Sequence, residues 1–462
     1  MNLIPTSRLL FLFAVICIPF TILASVISSA AILSYAIIFV FVLAATVDAF
    51  LSVRSFDGIR IECNELVRIS VGRSSAIKII IKNDAPQNGP IRLGLLFPDQ
   101  LFSENQDIFF NLSSKEISSA IAWPVKGLKK GQYLLNKCYL EKKSLAGLWA
   151  KRTTFPIYCE IRVYPDLFSE NKLLAALSAD KSMGAHARRQ IGKGREFEKL
   201  RDYNPGDSYE DIHWKATAKR SLPVTKVFQV ERTQDIYVMI DASRMSARNA
   251  HIFNNGLLGK ERRSADNNSS IFPQETILDR YITAALMIGK TAEKHGDNYG
   301  IVLFSDRVSL FIKAKSGKAH YSICRDSLYN ADPNRVTPDF RELFTFAGTR
   351  IRKRALMIIL TSLDDPVMSE DFIKHIHILS RYHLIMANMI KPAAANSIFS
   401  SSDIMSINSV YQDLGGHIVW NRLRELNVSL ARQGADFFLL ESRRLCSQLI
   451  SNYINIKQRQ IL

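Results

Sequence analysis

Residues Gly192–Ser246 read GKGREFEKLRDYNPGDSYEDIHWKATAKRSLPVTKVFQVERTQDIYVMIDASRMS, and the end of this stretch decides the fold. Ile236–Ile240 is a continuous apolar run of strand length that delivers Asp241, Ser243 and Ser246 into a loop. Unbroken apolar strands belong to sheets covered on both faces. In open α/β sheets the crevice outside the carboxyl ends of such strands is where ligands bind. An acid followed by hydroxyls supplies the oxygen donors that a hard cation accepts.

Downstream the same alternation repeats. Apolar runs at 301–304, 308–312, 355–360, 384–389 and 435–439 predict strands. Ile277, Tyr281, Ala285, Ile288 and Ala292 keep helical spacing and predict a helix up to His295. Ser369 and Ser442 are placed as N-caps of later helices, and Gly434 as a helix end. Residues 236–462 therefore read as a mostly parallel, doubly wound α/β domain with helices on both faces.

Upstream, 55–166 changes to period two. Val67, Ile69 and Val71 alternate with Arg68 and Ser70; Ile77, Ile79 and Ile81 alternate with Lys78 and Lys82; Ile157, Cys159, Ile161 and Val163 follow the same rule. Half-buried antiparallel strands have this pattern, and a β-sandwich-like domain of immunoglobulin type is expected. Its lysines at 126, 129, 130, 142 and 143 stand as ordinary strand ends or as contacts for anionic lipid headgroups.

From Leu9 to Val47 no residue carries a formal charge. As one helix, 39 residues at ~1.5 Å each would measure about 58 Å, against a hydrocarbon core of about 30 Å. Two spans fit, near 9–27 and 30–47, turning at Ser28-Ser29, so residues 1–54 form a transmembrane helical hairpin. Arg8 before it and Arg54, Arg60, Arg68 and Arg73 after it put both ends on the cytoplasmic side. The competing reading is a signal peptide cleaved near Ser28-Ser29-Ala30, which leaves the second span as an anchor.

The totals agree. A chain of 462 residues exceeds one ordinary core, and 22% charged residues exclude general disorder. A net charge of +17, widely spread, suits an anionic surface without choosing between membrane and nucleic acid. Six cysteines without paired spacing (17, 63, 138, 159, 324 and 446) read as reduced, buried small hydrophobes.

Between these parts, 167–235 is a basic connector, beginning with a short helix from Leu167. Gly192-Lys193-Gly194 lacks the GxxxxGK[ST] pattern of a phosphate loop. Phe197, Leu200, Tyr203 and Trp214 are expected to anchor the connector, with Arg195, Arg201, Asp202, Asp207 and Asp211 pairing around them. The runs Gly194–Phe197, Leu200–Tyr203, Gly206-Asp207 and Ile212–Trp214 resemble a bacterial family, domain of unknown function 58. KKGQYLLNKCYLEKKSLAGLWAKR ahead of RVYPD, and the closing QLISNYINIKQRQIL, are similar to the same family. His213 departs from it, since Asp or Asn is usual there.

That resemblance implies a protein of the bacterial inner membrane with a cytoplasmic von Willebrand factor A-like domain, associated with MoxR-type AAA+ ATPases. Such domains carry a metal-ion-dependent adhesion site: D-x-S-x-S, a Thr from a second loop, and an Asp after a later strand. Asp241 and Ser243 match the first two positions, and Thr337 in the loop 335–339 matches the Thr. Met245 stands at the third position, where its thioether is a poor ligand for Mg²⁺, and Ser362 replaces the later Asp. Asp364 is the substitute on hand. The metal site is thus degenerate, with Asp241, Ser243 and Thr337 as its remaining ligands, and the expectation is a cation-free domain that binds through its surface. His375, His377 and His383 do not share a helix face and are not read as ligands.

The function expected is a non-enzymatic membrane-anchored scaffold whose protein partner is a MoxR-type ATPase. The alternative is a basic module for nucleic acid or anionic lipid, although no zinc finger, aromatic RNA-binding pattern or basic helix is present. A hydrolase is disfavoured by the lack of G-x-S-x-G and H-E-x-x-H. The segment 249–274, rich in Asn and Ser, interrupts the passage from first strand to first helix at the rim where ligands would bind.

Overall fold

The uncharged N-terminal stretch forms two apolar helices, α1 (Ser7–Val26) and α2 (Ala31–Ser52), joined by a 3-10 turn at Ser28–Ala30. Both are long and apolar enough to cross a membrane. The computed structural model describes residues 3–52, 56, 58–84, 89–112, 118–172, 175, 191–205, 207–229, 233–250, 275–393, 395–397 and 407–459. The connector glycines' neighbour Gly206, most of the 249–274 segment and Arg54 lie outside the described residues. The chain divides into two compact units, one running to Asp166 and the other starting at Leu167.

In the first unit the period-two segments form two sheets. One has the order β1 (Leu3–Pro5), β10 (Trp149–Tyr164), β9 (Gly131–Lys143), β5 (Gly89–Leu95) and β7 (Asp107–Leu112), with β3 (Leu66–Ser70) parallel to β10. The other runs β2 (Ile59–Cys63), β4 (Ser74–Asn83), β8 (Ser118–Gly127) and β6 (Leu101–Phe102). Ile77, Ile79, Ile81 and Trp123 of one sheet share a buried core with Ile91, Leu93, Leu140 and Ile161 of the other. The alternating residues therefore line the inside of a β-sandwich, as predicted. Two details differ. Lys130 is buried rather than a solvated strand end. Cys63 is only half-buried, and its thiol donates to the Tyr158 carbonyl at 3.1 Å.

The second unit opens with the short helix expected from Leu167, helical over 167–172, and then has an antiparallel pair, β11 (Ile191–Asp202) and β12 (Val224–Gln229), with helix α3 (Trp214–Arg220) between them. Its main sheet has the order β15 (Val308–Lys315), β14 (Asn298–Phe304), β13 (Asp235–Asp241), β16 (Leu356–Leu360), β17 (Leu384–Ile390) and β18 (Ala435–Leu440). All neighbours are parallel except β14 and β15. The chain grows outward from β13 on one side, then returns to lay β16 on the other, so the order reverses between β13 and β16. That is the topological switch point of a doubly wound sheet.

Successive residues of β13 feed opposite cores. Ile236, Val238 and Ile240 pack with α4 (Ile277–Lys294), α5 (Lys318–Leu328) and α9 (Leu445–Arg459). Tyr237 and Met239 pack with α6 (Phe340–Arg350), α7 (Pro366–Ser380) and α8 (Ile407–Arg432). With both faces covered, the strand needs no polar alternation, which is why it reads as an unbroken apolar run. The sequence misplaces two caps. Asp365 caps α7, with Pro366 at its first turn, and Ser369 lies inside that helix. Ser442 starts a 3-10 turn ahead of α9 instead of capping it. Gly434 does follow the end of α8, with φ +77°.

Candidate functional site

Asp241 ends β13 at the switch point and is fully buried. The turn that follows folds back on it. Oδ1 accepts the Ser243 N–H at 2.8 Å, and the Ser246 hydroxyl donates to the Asp241 carbonyl at 2.6 Å. Across the crevice Thr361, the residue after β16, donates its hydroxyl to Oδ2 at 2.7 Å. Below it Tyr281 of α4 donates to the Thr361 carbonyl at 3.0 Å. One carboxylate thus ties together the ends of the two strands where the sheet changes direction.

The neighbouring charge comes from the chain itself. Arg248 donates Nε to the Met245 carbonyl at 2.9 Å, and its two terminal nitrogens reach the two oxygens of Asp364 at 2.6 and 3.0 Å. A bidentate fork of this kind fixes geometry as well as charge. Burial pushes the Asp241 carboxyl above its usual range, while the bonds from Ser243 and Thr361 and the nearby Arg248 charge pull it back part of the way. Burial opposes the Arg248 charge too, yet Asp364 outweighs it and the guanidinium ends above its ordinary value.

Thr337 lies on the loop beside this turn. Arg244 N–H donates to the Val336 carbonyl at 2.9 Å, and Asn334 N–H to the Ala242 carbonyl at 2.7 Å. The loop therefore reaches the rim, but Thr337 itself is exposed, whereas Asp241 and Ser243 are buried. The structure brings Asp241 and Ser243 together and leaves Thr337 above them.

This donor set does not fit a hard divalent cation. Both Asp241 oxygens are held by protein donors, Ser243 Oγ accepts the Met245 N–H at 3.3 Å, and Asp364 is engaged by Arg248. A fixed guanidinium beside the carboxylate also opposes a second cation at the same place. Sequence reasoning missed Arg248, Thr361 and Tyr281. Only an arginine seven residues past Asp241 hinted at them, and Asp364, read as a substitute metal ligand, is instead the partner of Arg248.

Each histidine has its own surroundings: His375 Nδ1 lies 3.1 Å from Asp371, His377 bonds the Lys374 carbonyl, and His383 is buried. In the connector, Arg201 pairs with Asp207 at 2.6 Å, and Asp207 also accepts the Asn204 N–H at 3.0 Å. Tyr203 stacks on Tyr209. Trp214 is not an anchor, since it is 68% exposed at the start of α3. The side chain of Phe197 lies outside the described residues. His213 caps α3, its Nδ1 accepting the Ala216 N–H at 2.9 Å. This is the role that Asp or Asn fills at an N-cap, and it accounts for the departure noted in the sequence.

Residues 199–253 and 268–398 match a family described as "Protein of unknown function DUF58". That stretch, less than half of the chain, is similar to the DUF58 family. It covers Leu200–Tyr203, Gly206-Asp207 and Ile212–Trp214 and the α/β sheet as far as the end of β17, so the resemblance holds for those runs, while Gly194–Phe197, the run ahead of RVYPD and the closing QLISNYINIKQRQIL lie outside the match. Comparison with curated proteins gives no match.

Among solved structures, an aerotolerance-related membrane protein from Bacteroides fragilis NCTC 9343 is similar at 11% identity and a TM-score of 0.29, over 48% of this chain and 98% of that one. BatB from Bacteroides thetaiotaomicron is similar at 12% identity and a TM-score of 0.28, over 49% and 98%. The SpRpn10 VWA domain follows at 9% identity and a TM-score of 0.28, over 48% and 95%. The unit that carries this stretch is a doubly wound α/β sheet with a single antiparallel edge.

Proposed function

We propose that this chain is a non-enzymatic, membrane-anchored interaction protein. Its DUF58 unit faces the cytoplasm from the bacterial inner membrane and binds a protein partner of the MoxR-type AAA+ ATPase class. The observation that carries this reading is the division of labour at the switch point. Asp241, Ser243, Ser246 and Thr361, the groups with chemistry to offer, are all buried and bonded to one another. Arg244, Val336 and Thr337 are exposed above them. A rim locked from beneath by its own polar groups suits a rigid recognition surface. The Arg248 guanidinium, fixed by Asp364, stands where a divalent ion's charge would otherwise lie, and binding in this reading proceeds without such an ion.

Orientation follows from the basic residues that flank the hairpin. Co-purification of the full chain from mild detergent tests the partner. We expect an AAA+ ATPase to be recovered with the wild type and lost when Arg244 and Thr337 are replaced together by Glu and Ala. Recovery of no such ATPase with either form overturns the partner assignment. Protection of the DUF58 unit from protease in inside-out vesicles overturns the orientation.

A further inference from the structure

The loop between β9 and β10 is attached to the hairpin by several independent contacts. Asp48 of α2, the first charged residue after the apolar stretch, accepts the Ser144 hydroxyl at 2.6 Å and the Ala146 N–H at 3.1 Å. Trp149 donates its indole N–H to the Ala45 carbonyl at 2.8 Å. Thr6, which caps α1, donates to the Gly147 carbonyl at 2.7 Å, and β1 pairs with the start of β10. Leu148 is buried with Leu9 and Ala45, and Trp149 packs against that cluster beside Leu12 and Phe41.

These contacts fix the loop's depth. Ala45, which accepts the Trp149 indole, lies seven residues before the end of α2, which is about 10 Å back along the helix at ~1.5 Å per residue. The loop is therefore not perched on the helix ends but sits alongside them. Yet Leu145, between the two residues that hold Asp48, is 92% exposed, and Arg8 and Lys143 beside it are exposed as well.

We propose that the Ser144–Trp149 loop is a third membrane-contacting element. Leu145 inserts at the boundary between headgroups and acyl chains, and Arg8 and Lys143 rest on anionic phospholipid headgroups. The inference rests on the hairpin being a membrane anchor. An apolar tip flanked by basic residues and a tryptophan is what an interfacial element needs. Asp48 adds a reason for the loop to be there, because a carboxylate at the edge of the hydrocarbon is costly unless protein donors satisfy it.

The test uses the full chain in nanodiscs of phosphatidylethanolamine and phosphatidylglycerol, in a Cys63→Ser background. Leu145→Cys is compared with Leu96→Cys for its rate of reaction with a water-soluble maleimide. Leu96 is 73% exposed and follows Leu95, which pairs with Cys138, five residues along β9 from Lys143. At the rise of a strand this places it about 16 Å further from the loop.

We expect Leu145→Cys to react at least roughly tenfold more slowly, and the difference to shrink in nanodiscs of phosphatidylcholine alone. Equal rates at both positions overturn the insertion, and protection that ignores headgroup charge overturns the anionic contact. Alkaline carbonate extraction separates the two layers of the argument. A chain that leaves the membrane defeats the anchor, whereas a chain that stays while Leu145→Cys reacts freely defeats only the loop.

Discussion

Asp241 shows how far a single residue can be read in advance. An acid at the end of an unbroken apolar strand is legible, because its position follows from strand period and length. Its partners are not, since Thr361 lies 120 residues away and Arg248 reaches it only through a turn that the sequence does not mark. Thr361→Val keeps the shape but leaves Oδ2 without a donor in a fully buried place. It should cost about 1–3 kcal/mol, measured by chemical denaturation of the chain in detergent, and should push the Asp241 carboxyl further up. The closed Arg248–Asp364 fork carries a second expectation. Millimolar Mg²⁺ or Mn²⁺ should leave the wild-type melting temperature unmoved, and a clear upward shift would speak for a metal at Asp241.

At the level of elements, the six strands of the α/β sheet were legible to within a few residues because strands of a sheet covered on both faces are written as apolar runs. Helix starts were less so. Ser369 looks like a cap, but Asp365 followed by Pro366 captures the helix one turn earlier. Close packing between elements was hidden as well. A Cβ on Gly300 of β14 would meet the Ile312 carbonyl of β15 at 2.7 Å and the Tyr237 ring at 2.7 Å. Gly300→Ala should therefore destabilise by about 1–3 kcal/mol, seen as a lower denaturation midpoint with unchanged slope.

His383, between α7 and β17, gives the pH dependence. Burial lowers its pKa, partly offset by a bond with the Ile351 backbone. A base with a depressed folded pKa binds fewer protons when folded than when unfolded. Its contribution is intact above the ordinary histidine value of about 6.5 and is lost as the pH falls through the folded value. His383→Phe should flatten the fall in melting temperature on acidification; an unchanged slope would remove His383 as the cause.

For the molecule as a whole, the long uncharged stretch and the change from period two to unbroken apolar runs mark the two apolar helices, the sheet-rich middle and the α/β sheet. The structure divides the chain into two compact units after Asp166. The sequence signals fell short where distant segments satisfy one another. The apolar stretch stops at Val47, yet α2 continues to Ser52 because Asp48 finds donors at Ser144 and Ala146. At the opposite end of the strands from the candidate site, Asp297 is buried and accepts Lys457 Nζ at 2.6 Å, the Tyr453 hydroxyl and the Gln234 N–H at 3.1 Å. It joins the entry to β13 with the last helix. Asp297→Ala removes the acceptor shared by Lys457, Tyr453 and Gln234 and should cost about 1–3 kcal/mol, with α9 the first element to lose protection in hydrogen exchange.

That last helix also bears on how the protein is made. Leu445, Leu449, Tyr453 and Ile456 cover the same face of the sheet as Ile236, Val238 and Ile240, and the ribosome delivers them after every strand they cover. The hairpin, emerging first, enters the bilayer while that face is still bare. Nascent sheets tethered side by side on a membrane would be at their most adhesive in this interval, which makes the pace of translation through the final strands a determinant of yield.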